Sequence, residues 1–373
     1  MAVALSPADR IYLARARELA MRGIGNTAPN PPVGAVIARD DVTLGEGWHR
    51  VRGGPHAEVE ALDDLRRRGH DPRGATLYVT LEPCNHFGAT PPCAEAVVEA
   101  GLGRVVIGWP DPNPKTAGTG IGRLRAAGIA VELAEDINIE KMIEPFAVTV
   151  RSLRPYVTLK MAASLDGYVA PRPGTSRLSG SAARERVREL RIAHDAVMVG
   201  AGTIRIDNPQ LTVRPIHARR RSYVRIVACE TAVPDARSVV FARPEQAGAF
   251  RRTIVLAPGG RRARFEEIER IAECIFVGGA AAQELDLHAA LIALREAGVE
   301  SVLCEGGPTL AAGLLRAGLV DRLVWFVAPI LLRSPMAVPA LAGDVSSSVV
   351  WRFEELERSG DDLLLSARVW TAV

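Results

Sequence analysis

Short apolar runs alternate with longer amphipathic stretches along most of this chain. In the first 150 residues, the apolar runs predict four strands, at 33–38, 76–81, 105–108 and 129–133. Helical spacing of apolar residues predicts helices from about residue 6 and at 56–68, 91–100 and 120–127. Ser6 can cap the first helix, because Pro7 suits the first helical position and Asp9 places a carboxylate in the first turn.

The same alternation resumes after Arg154 and Pro155. It predicts strands at 156–161, 196–199, 224–228, 253–256, 274–277, 301–304, 323–327 and 362–370. It predicts helices at 181–192, 287–297 and 308–316. Strands that alternate with helices indicate layered α/β domains. We therefore expect two α/β domains, at 1–146 and 154–373, joined by residues 141–153.

Composition is consistent with two ordinary globular domains. The chain has 373 residues, of which 48% are hydrophobic and 24% charged, enough to build two cores. No run approaches the roughly 18 apolar residues of a membrane span, and no cationic start precedes an apolar stretch. Five cysteines, an odd number spread over a long chain, argue against a disulfide framework. We expect a cytoplasmic protein without membrane association.

The charge is divided unevenly along the chain. The net charge is +3, with −3 in residues 1–150 and +6 in residues 151–373. A mildly basic second half suits a ligand that carries phosphate. It is too weakly charged for the basic patch or stripe of a nucleic-acid-binding domain. We therefore expect a small-molecule substrate and no nucleic-acid partner.

The chemistry of the first half is concentrated in four residues: His56, Glu58, Cys84 and Cys93. One histidine and two cysteines provide three zinc ligands, which leaves the fourth position of a catalytic site open. Glu58 has the residue type that moves protons to and from a zinc-activated water. Separately, a helix-capping histidine and two buried cysteines would be unremarkable. Together, as H-x-E followed by P-C and a further cysteine, they predict a zinc-dependent deaminase.

Residues 80–93, together with 29–34, 55–58 and 111–114, resemble the deaminase half of the bifunctional riboflavin-biosynthesis deaminase/reductases. Eight residues separate Cys84 from Cys93, whereas nucleic-acid-editing deaminases have a two-residue gap. The second half continues the resemblance at 154–167, 195–200, 207–214 and 305–310. The resemblance implies a cytidine-deaminase-like α/β/α sandwich followed by a dihydrofolate-reductase-like α/β domain.

The resemblance also implies two successive reactions. The first is zinc-dependent deamination of 2,5-diamino-6-(5-phosphoribosylamino)pyrimidin-4-one, and the second is NADPH-dependent reduction of the ribosyl chain to ribityl. Zn²⁺ and NADPH are the implied cofactors. The implied deaminase substrate residues are Asn30, His49, His86, Asp111 and Asn113. The implied NADPH residues are Ala163, Thr203, Asp207, Gly306 and Gly307. The implied reductase substrate residues are Lys160, Thr175, Arg191, Leu211, Arg214 and Glu305.

Without the resemblance, the second site would stay open to simpler interpretations. Gly306 and Gly307 also suit an ordinary turn between a strand and a helix. Arg191 and Arg214 also suit surface salt bridges, and Lys160 a solvent-facing position on a strand. Departures from the family pattern include Ala89, Arg177, Asn208 and the segment 330–335, which lacks a glycine-rich turn. Most of them fall in the reductase half.

Three other functions therefore stay open. The chain could be a deaminase with a diverged or inactive reductase domain, a nucleic-acid-editing protein, or a scaffold stabilised by zinc without catalysis. Cysteine spacing and the lack of a basic stripe argue against editing. The resemblance also implies self-association, for which the sequence indicates no interface.

Overall fold

The structure is a computed structural model that describes residues 5–87, 91–172, 178–213, 223–242, 250–345 and 350–370. The chain divides into two compact units, Met1–Leu153 and Arg154–Val373. Within the described residues, no helix is both long enough and apolar enough to cross a bilayer.

The first unit is built on a five-stranded sheet. Its strands are β1 (Gly34–Arg39), β2 (Val42–Trp48), β3 (Thr76–Leu81), β4 (Arg104–Trp109) and β5 (Ala130–Leu133). Their order is β2-β1-β3-β4-β5. β1 is antiparallel to both of its neighbours, whereas β3, β4 and β5 are parallel. Because β3 and β4 are parallel, the residues that follow them emerge at the same edge of the sheet.

Helices cover both faces of this sheet. They are α1 (Pro7–Met21), α2 (Ala57–Arg67), α3 (Cys93–Glu99), α4 (Thr119–Ala126) and α5 (Ile137–Ser152). Leu19 of α1 packs with Val36 and Val106 on one face. Leu62 of α2 and Leu124 of α4 belong to the core on the opposite face. The predicted α/β/α sandwich is therefore confirmed.

The second unit has a nine-stranded sheet and a separate strand pair. Its strands are β6 (Tyr156–Ser164), β7 (Tyr168–Ala170), β8 (Ala196–Gly200), β9 (Tyr223–Ala228), β10 (Phe250–Pro258), β11 (Glu273–Val277), β12 (Ser301–Gly306), β13 (Arg322–Ala328), β14 (Val338–Pro339), β15 (Val350–Ser359) and β16 (Asp362–Trp370). The large sheet has the order β11-β10-β9-β8-β12-β6-β13-β16-β15, and β14 pairs with β7. Only β16 and β15 join it antiparallel to their neighbours.

The helices of this unit are α6 (Ser181–Ala193), α7 (Ala201–Asp207), α8 (Glu266–Glu269), α9 (Leu287–Glu296) and α10 (Pro308–Arg316). Leu291 of α9 and Leu314 of α10 pack with Met198 on one face of the large sheet. Ile204 of α7 packs with Val199 on the other. The central strands are therefore buried on both faces, as is usual for parallel sheets.

Several elements differ from the sequence-based expectations: the short elements β7, β14, α7 and α8 were not predicted, and three longer ones also differ. β2 was not predicted, because its glycines weaken a strand pattern. A Cβ on Gly45 would lie 2.4 Å from the carbonyl oxygen of Ala61. A Cβ on Gly47 would lie 2.4 Å from the amide nitrogen of Ala61. Helix α2 thus approaches β2 too closely for side chains. The expected join at 141–153 is mostly helical, in α5, and β15 is a further unpredicted strand whose pattern is largely charged.

Candidate active sites

Three secondary-structure ends meet at the predicted metal ligands of the first unit. His56 is the N-cap residue of α2, Cys93 is the first residue of α3, and Cys84 follows the end of β3. Their ligand atoms all lie within 4.8 Å of one another. His56 Nδ1 is 3.2 Å from Cys93 Sγ and 3.6 Å from Cys84 Sγ.

The chemistry of these donors fits a zinc ion. The hydrogen bond from the thiol of Cys93, followed by the neighbouring His56, lowers the pKa of Cys84 to about 4. The pKa of Cys93 is raised, because its thiol faces that thiolate and is buried. One sulfur is therefore ionised while the other holds a proton. A divalent cation among the three donors would favour the ionised form of both sulfurs, so the residues fit the ion.

Glu58 lies in the first turn of α2 beside these ligands. It is 3% exposed. Burial, followed by the negative charge of Cys84, raises the pKa of Glu58 to about 7. A carboxyl group with a pKa near neutrality can both accept and donate a proton, as an acid/base catalyst must.

Asn30 and His49 extend the site away from His56. The rings of His49 and His56 meet edge to face, with centroids 5.2 Å apart. His49 Nδ1 donates to the carbonyl oxygen of Pro55 at 2.9 Å. The other ring nitrogen is 3.2 Å from Asn30 Nδ2, which donates to it in the neutral ring. Burial lowers the pKa of His49, in agreement with a neutral imidazole.

Asp111 and Asn113 lie in the loop that follows β4. Asp111 accepts hydrogen bonds from the amide of Asn113, at 2.9 Å, and from the hydroxyl of Thr116. The loop is attached to the residues after β3 through Glu82, whose carboxylate accepts the amide of Asp111 at 3.2 Å. His86, two residues beyond Cys84, is exposed.

The second unit contains a cavity of about 1460 Å³ at the ends of β6, β8 and β12. Among the described residues, the predicted positions that line it are Lys160, Thr203, Asp207, Glu305 and Gly307. Its volume exceeds that of typical small-ligand pockets, which reach about 1000 Å³, so it can hold an extended cofactor with a substrate.

Gly307 is the N-cap residue of α10 and directs the start of that helix toward this cavity. Its φ is 102°, and a Cβ there would lie 3.0 Å from Thr203 Oγ1, so the position requires glycine. Thr203 Oγ1 donates to the carbonyl oxygen of Gly306 at 3.2 Å. Backbone amides at a helix N-terminus suit a phosphate group, so this glycine cradle fits NADPH.

Three charged side chains form a cluster in the second unit, beside the cavity. Arg191 of α6 forms a bidentate pair with Glu305 of β12, with its Nη2 2.8 Å from Glu305 Oε2. Lys160 of β6 lies beside this pair and contributes to its electrostatics. Burial by itself would raise the pKa of Glu305, but the hydrogen bonds and charge of Arg191 and the charge of Lys160 hold it below its usual value.

Of the other predicted reductase positions, those that the structure describes do not line the cavity. Ala163 and Leu211 have buried side chains that pack in the core. Thr175 and Arg214 lie outside the described residues, as do Ala89 and Arg177. Asn208 ends α7 in the left-handed region, with φ 41°, and its Oδ1 accepts the amide of Val239 at 2.8 Å.

Glu82 connects the end of β3 to the loop that carries Asp111 and Asn113, and the sequence patterns did not indicate this role. One signal was available, since a charged residue directly after a strand buried on both faces needs polar partners. Those partners are 29 to 39 residues further along the chain.

Comparisons with known proteins agree with both halves of this picture. Residues 155–365 match the family model for the RibD C-terminal domain. Residues 7–109 match the cytidine and deoxycytidylate deaminase zinc-binding region. The riboflavin biosynthesis protein RibD of Escherichia coli is 38% identical over 368 residues, covering 96% of this chain and 98% of its own length. The chain belongs to the RibD family.

Other RibD proteins are similar over the same extent. RibD of Bacillus amyloliquefaciens is 36% identical over 370 residues, covering 96% of each chain. The solved structure of Acinetobacter baumannii RibD has a TM-score of 0.83 at 34% identity and covers 98% of this chain and 99% of its own. A solved deaminase/reductase from Thermotoga maritima has a TM-score of 0.83 at 35% identity, covering 97% and 99%.

RibD membership confirms four expectations of the sequence analysis. The fold is a cytidine-deaminase-like domain followed by the RibD reductase domain. The protein is a bifunctional enzyme of riboflavin biosynthesis that combines a deaminase and a reductase. Its cofactors are Zn²⁺ and NADPH. Its substrates are small molecules.

Proposed function

We propose that the first unit deaminates 2,5-diamino-6-(5-phosphoribosylamino)pyrimidin-4-one and that the second reduces the ribosyl chain of the product to ribityl. The observation that carries this proposal is the group of three ligand atoms within 4.8 Å, with buried Glu58 beside it. The Thermotoga maritima relative is described as a deaminase of a diaminohydroxyphosphoribosylaminopyrimidine and a reductase of the corresponding uracil.

In the deaminase, His56, Cys84 and Cys93 would hold the zinc ion. When bound, zinc would polarise a water molecule and lower its pKa toward neutrality. Glu58 would take up the proton lost from the attacking water as its oxygen bonds to the carbon that carries the amino group, and would pass a proton to the leaving nitrogen, which departs as ammonia. Burial raises the pKa of Glu58 toward neutrality, which suits both proton transfers.

Asn30 and His49 bind the pyrimidine of the deaminase substrate, together with His86, Asp111 and Asn113. Because His49 Nδ1 donates to a backbone carbonyl and its Nε2 accepts from Asn30 Nδ2, the Asn30 amide is held in one orientation and can offer its Oδ1 and its second N–H to the base. Such an arrangement recognises the polar edge of a base without a change in protonation.

In the reductase, Gly306, Gly307 and Thr203 would hold NADPH at the start of α10, with Asp207 lining the same cavity and Ala163 contributing from the core behind it. NADPH supplies the hydride. Lys160, Arg191 and Glu305 bind the substrate, together with Thr175, Leu211 and Arg214. The Arg191–Glu305 pair fixes both side chains, and the ammonium of Lys160 attracts an anionic substrate.

We further propose a cytoplasmic enzyme that binds no nucleic acid and self-associates, with its functional domains at 1–146 and 154–373. The weak net charge of +3 supports the absence of a nucleic-acid partner.

The test is a coupled assay on zinc-loaded protein. The diaminopyrimidinone ribosyl phosphate is supplied with NADPH, and ammonia release and NADPH oxidation are followed together. We expect both, and a zinc chelator should stop ammonia release while leaving reduction of directly supplied uracil substrate intact. If ammonia is released but NADPH is not oxidised, even when the uracil substrate is supplied directly, the protein is instead a deaminase with a diverged reductase. If neither ammonia release nor NADPH oxidation occurs, the substrate assignment is contradicted.

A further inference from the structure

The carboxylate of Glu82 accepts four backbone amides from one loop. Its Oε2 accepts the amide of Asp111 at 3.2 Å and that of Gly118 at 3.0 Å. Its Oε1 accepts the amides of Gly120 and Ile121 at 3.0 and 3.1 Å. Glu82 is 5% exposed, so these amides replace the water that a carboxylate otherwise requires.

The last two of these amides belong to the first turn of α4. The N-cap residue of that helix is Gly118, which has no side chain and provides no cap. Glu82, which follows the end of β3, therefore caps α4 with its side chain. The helix dipole favours a negative charge at this end of the helix. The same carboxylate fixes both ends of the loop 111–121.

Glu82 is also attached to the metal site. Two residues after it comes Cys84, and its own amide donates to the carbonyl oxygen of Trp109, at the end of β4, at 3.1 Å. The loop packs tightly here, since a Cβ on Gly120 would lie 1.9 Å from the carbonyl oxygen of Pro83. A shift of the loop relative to Cys84 is therefore opposed by both hydrogen bonds and sterics.

We propose that Glu82 is a positioning residue for deamination, which holds the loop bearing Asp111 and Asn113 in register with the metal ligand Cys84. This inference rests on the proposed deaminase function, in which Asp111 and Asn113 contact the substrate. Glu82 itself touches neither substrate nor metal. Its effect is on how well the substrate is held, so it should alter KM more than kcat.

The experiment compares Glu82→Gln with Glu95→Gln in the full zinc-loaded chain. A glutamine keeps one acceptor oxygen but turns an NH₂ group toward amides that are themselves donors. Glu95 is the matched control, because it also contacts α4, through Arg123 at 2.6 Å, but is partly exposed, and Arg123 lies beyond the loop 111–121. We expect Glu82→Gln to raise the deamination KM about tenfold with a smaller change in kcat, and Glu95→Gln to leave KM unchanged.

Two further measurements separate positioning from general destabilisation. In an Asn113→Ala background, Glu82→Gln should raise KM much less, because residues that act through one another are not additive. Zinc content and reduction of the uracil substrate should stay at wild-type levels. An unchanged KM, an equal factor in both backgrounds, or a kcat lost together with zinc would each overturn the proposal.

Hydrogen exchange keeps the test independent of the assigned substrate. Glu82→Gln should speed exchange of the amides of Gly118, Gly120 and Ile121 about tenfold relative to Glu95→Gln. Wild-type protein that releases no ammonia would contradict the proposed function, whereas unchanged exchange would contradict the role of Glu82. If Glu82→Gln does not fold, Glu82→Asp, which keeps the charge but shortens the side chain so that it cannot reach all four amides, should raise KM in the same way, and an unchanged KM there would overturn the proposal.

Discussion

Glu58 in the first unit and Glu305 in the second both lie at a candidate site, and their carboxyl groups have pKa values shifted in opposite directions. Glu58 is 3% exposed, and burial followed by the charge of Cys84 raises its pKa to about 7. Glu305 has 13% of its side chain exposed, yet its pKa lies below the usual value. Burial raises both pKa values, so burial does not explain the difference.

The difference comes from the neighbouring charges. Glu305 is paired in bidentate fashion with Arg191 and lies near Lys160, so its ionised form is stabilised. Glu58 has a thiolate and a histidine as its nearest charged groups, and the thiolate opposes ionisation. A carboxyl group that can exchange its proton near neutral pH suits acid/base catalysis. One that stays ionised suits the binding and orientation of a substrate.

The largest expected effect comes from removing the exchangeable proton. Glu58→Gln keeps the shape of the side chain but cannot carry the proton, so deamination should fall about 10³-fold, within the range for general acid/base catalysis. Ammonia release from zinc-loaded protein measures this fall. Zinc content and reduction of directly supplied uracil substrate should be unchanged. Deamination at the wild-type rate would contradict the role of Glu58 and remove the contrast with Glu305.

An intermediate effect should follow when Glu305 loses its partner. Arg191→Met leaves the Glu305 carboxylate without its bidentate partner and with only the charge of Lys160 nearby, so the free energy of unfolding of the second unit should fall by about 3 kcal/mol. Native-state hydrogen exchange of β12 amides in the full chain measures this change. The matched control is Arg186→Met on the same helix, which removes exposed ion pairs with Glu189, Glu355 and Glu357 and should cost less than about 1 kcal/mol.

A second substitution separates loss of the pair from loss of packing. Adding Glu305→Gln to Arg191→Met removes the unpaired charge and should recover part of the lost stability, because the two sites are coupled. Equal losses in Arg191→Met and Arg186→Met would mean that the pair does not stabilise Glu305 in its ionised form.

The smallest effect is a shift in pH dependence. Burial, as the largest contribution, lowers the pKa of Lys160 below that of an ordinary lysine, although Glu305 opposes the shift. As pH rises, the ammonium is therefore lost earlier than usual, and the KM for reduction should increase on the alkaline side. Lys160→Arg keeps its charge at high pH and should remove this alkaline rise. The same alkaline rise in both proteins would show that another group titrates.

Much of the fold followed from apolar periodicity. The strand at 76–81, the helix at 308–316 and the strand at 362–370 have the predicted bounds. Apolar periodicity did not predict β2 or β15. β2 contains Gly45 and Gly47 because α2 lies directly on its backbone, and this contact leaves no apolar pattern to read. β15 carries charged residues because it is the edge of its sheet.

The candidate sites divide in the same way. His56, Glu58, Cys84 and Cys93 could be predicted as a candidate site from sequence, because each lies at the end of a local element and their residue types and spacing indicate the chemistry. Lys160 was compatible with a solvent-facing position on its strand. Its side chain is half-buried and lines the cavity, next to Glu305 on the neighbouring strand.

Most of the elements, and the residue types of the candidate zinc site, could be predicted from patterns along the chain. Which charges meet depends on contacts between distant segments. Glu82 and its amide partners are 29 to 39 residues apart, and Arg191 and Glu305 are 114 apart. Proton affinity and loop position depend on these distant contacts, since a buried charge is stabilised by the groups that the fold brings to it.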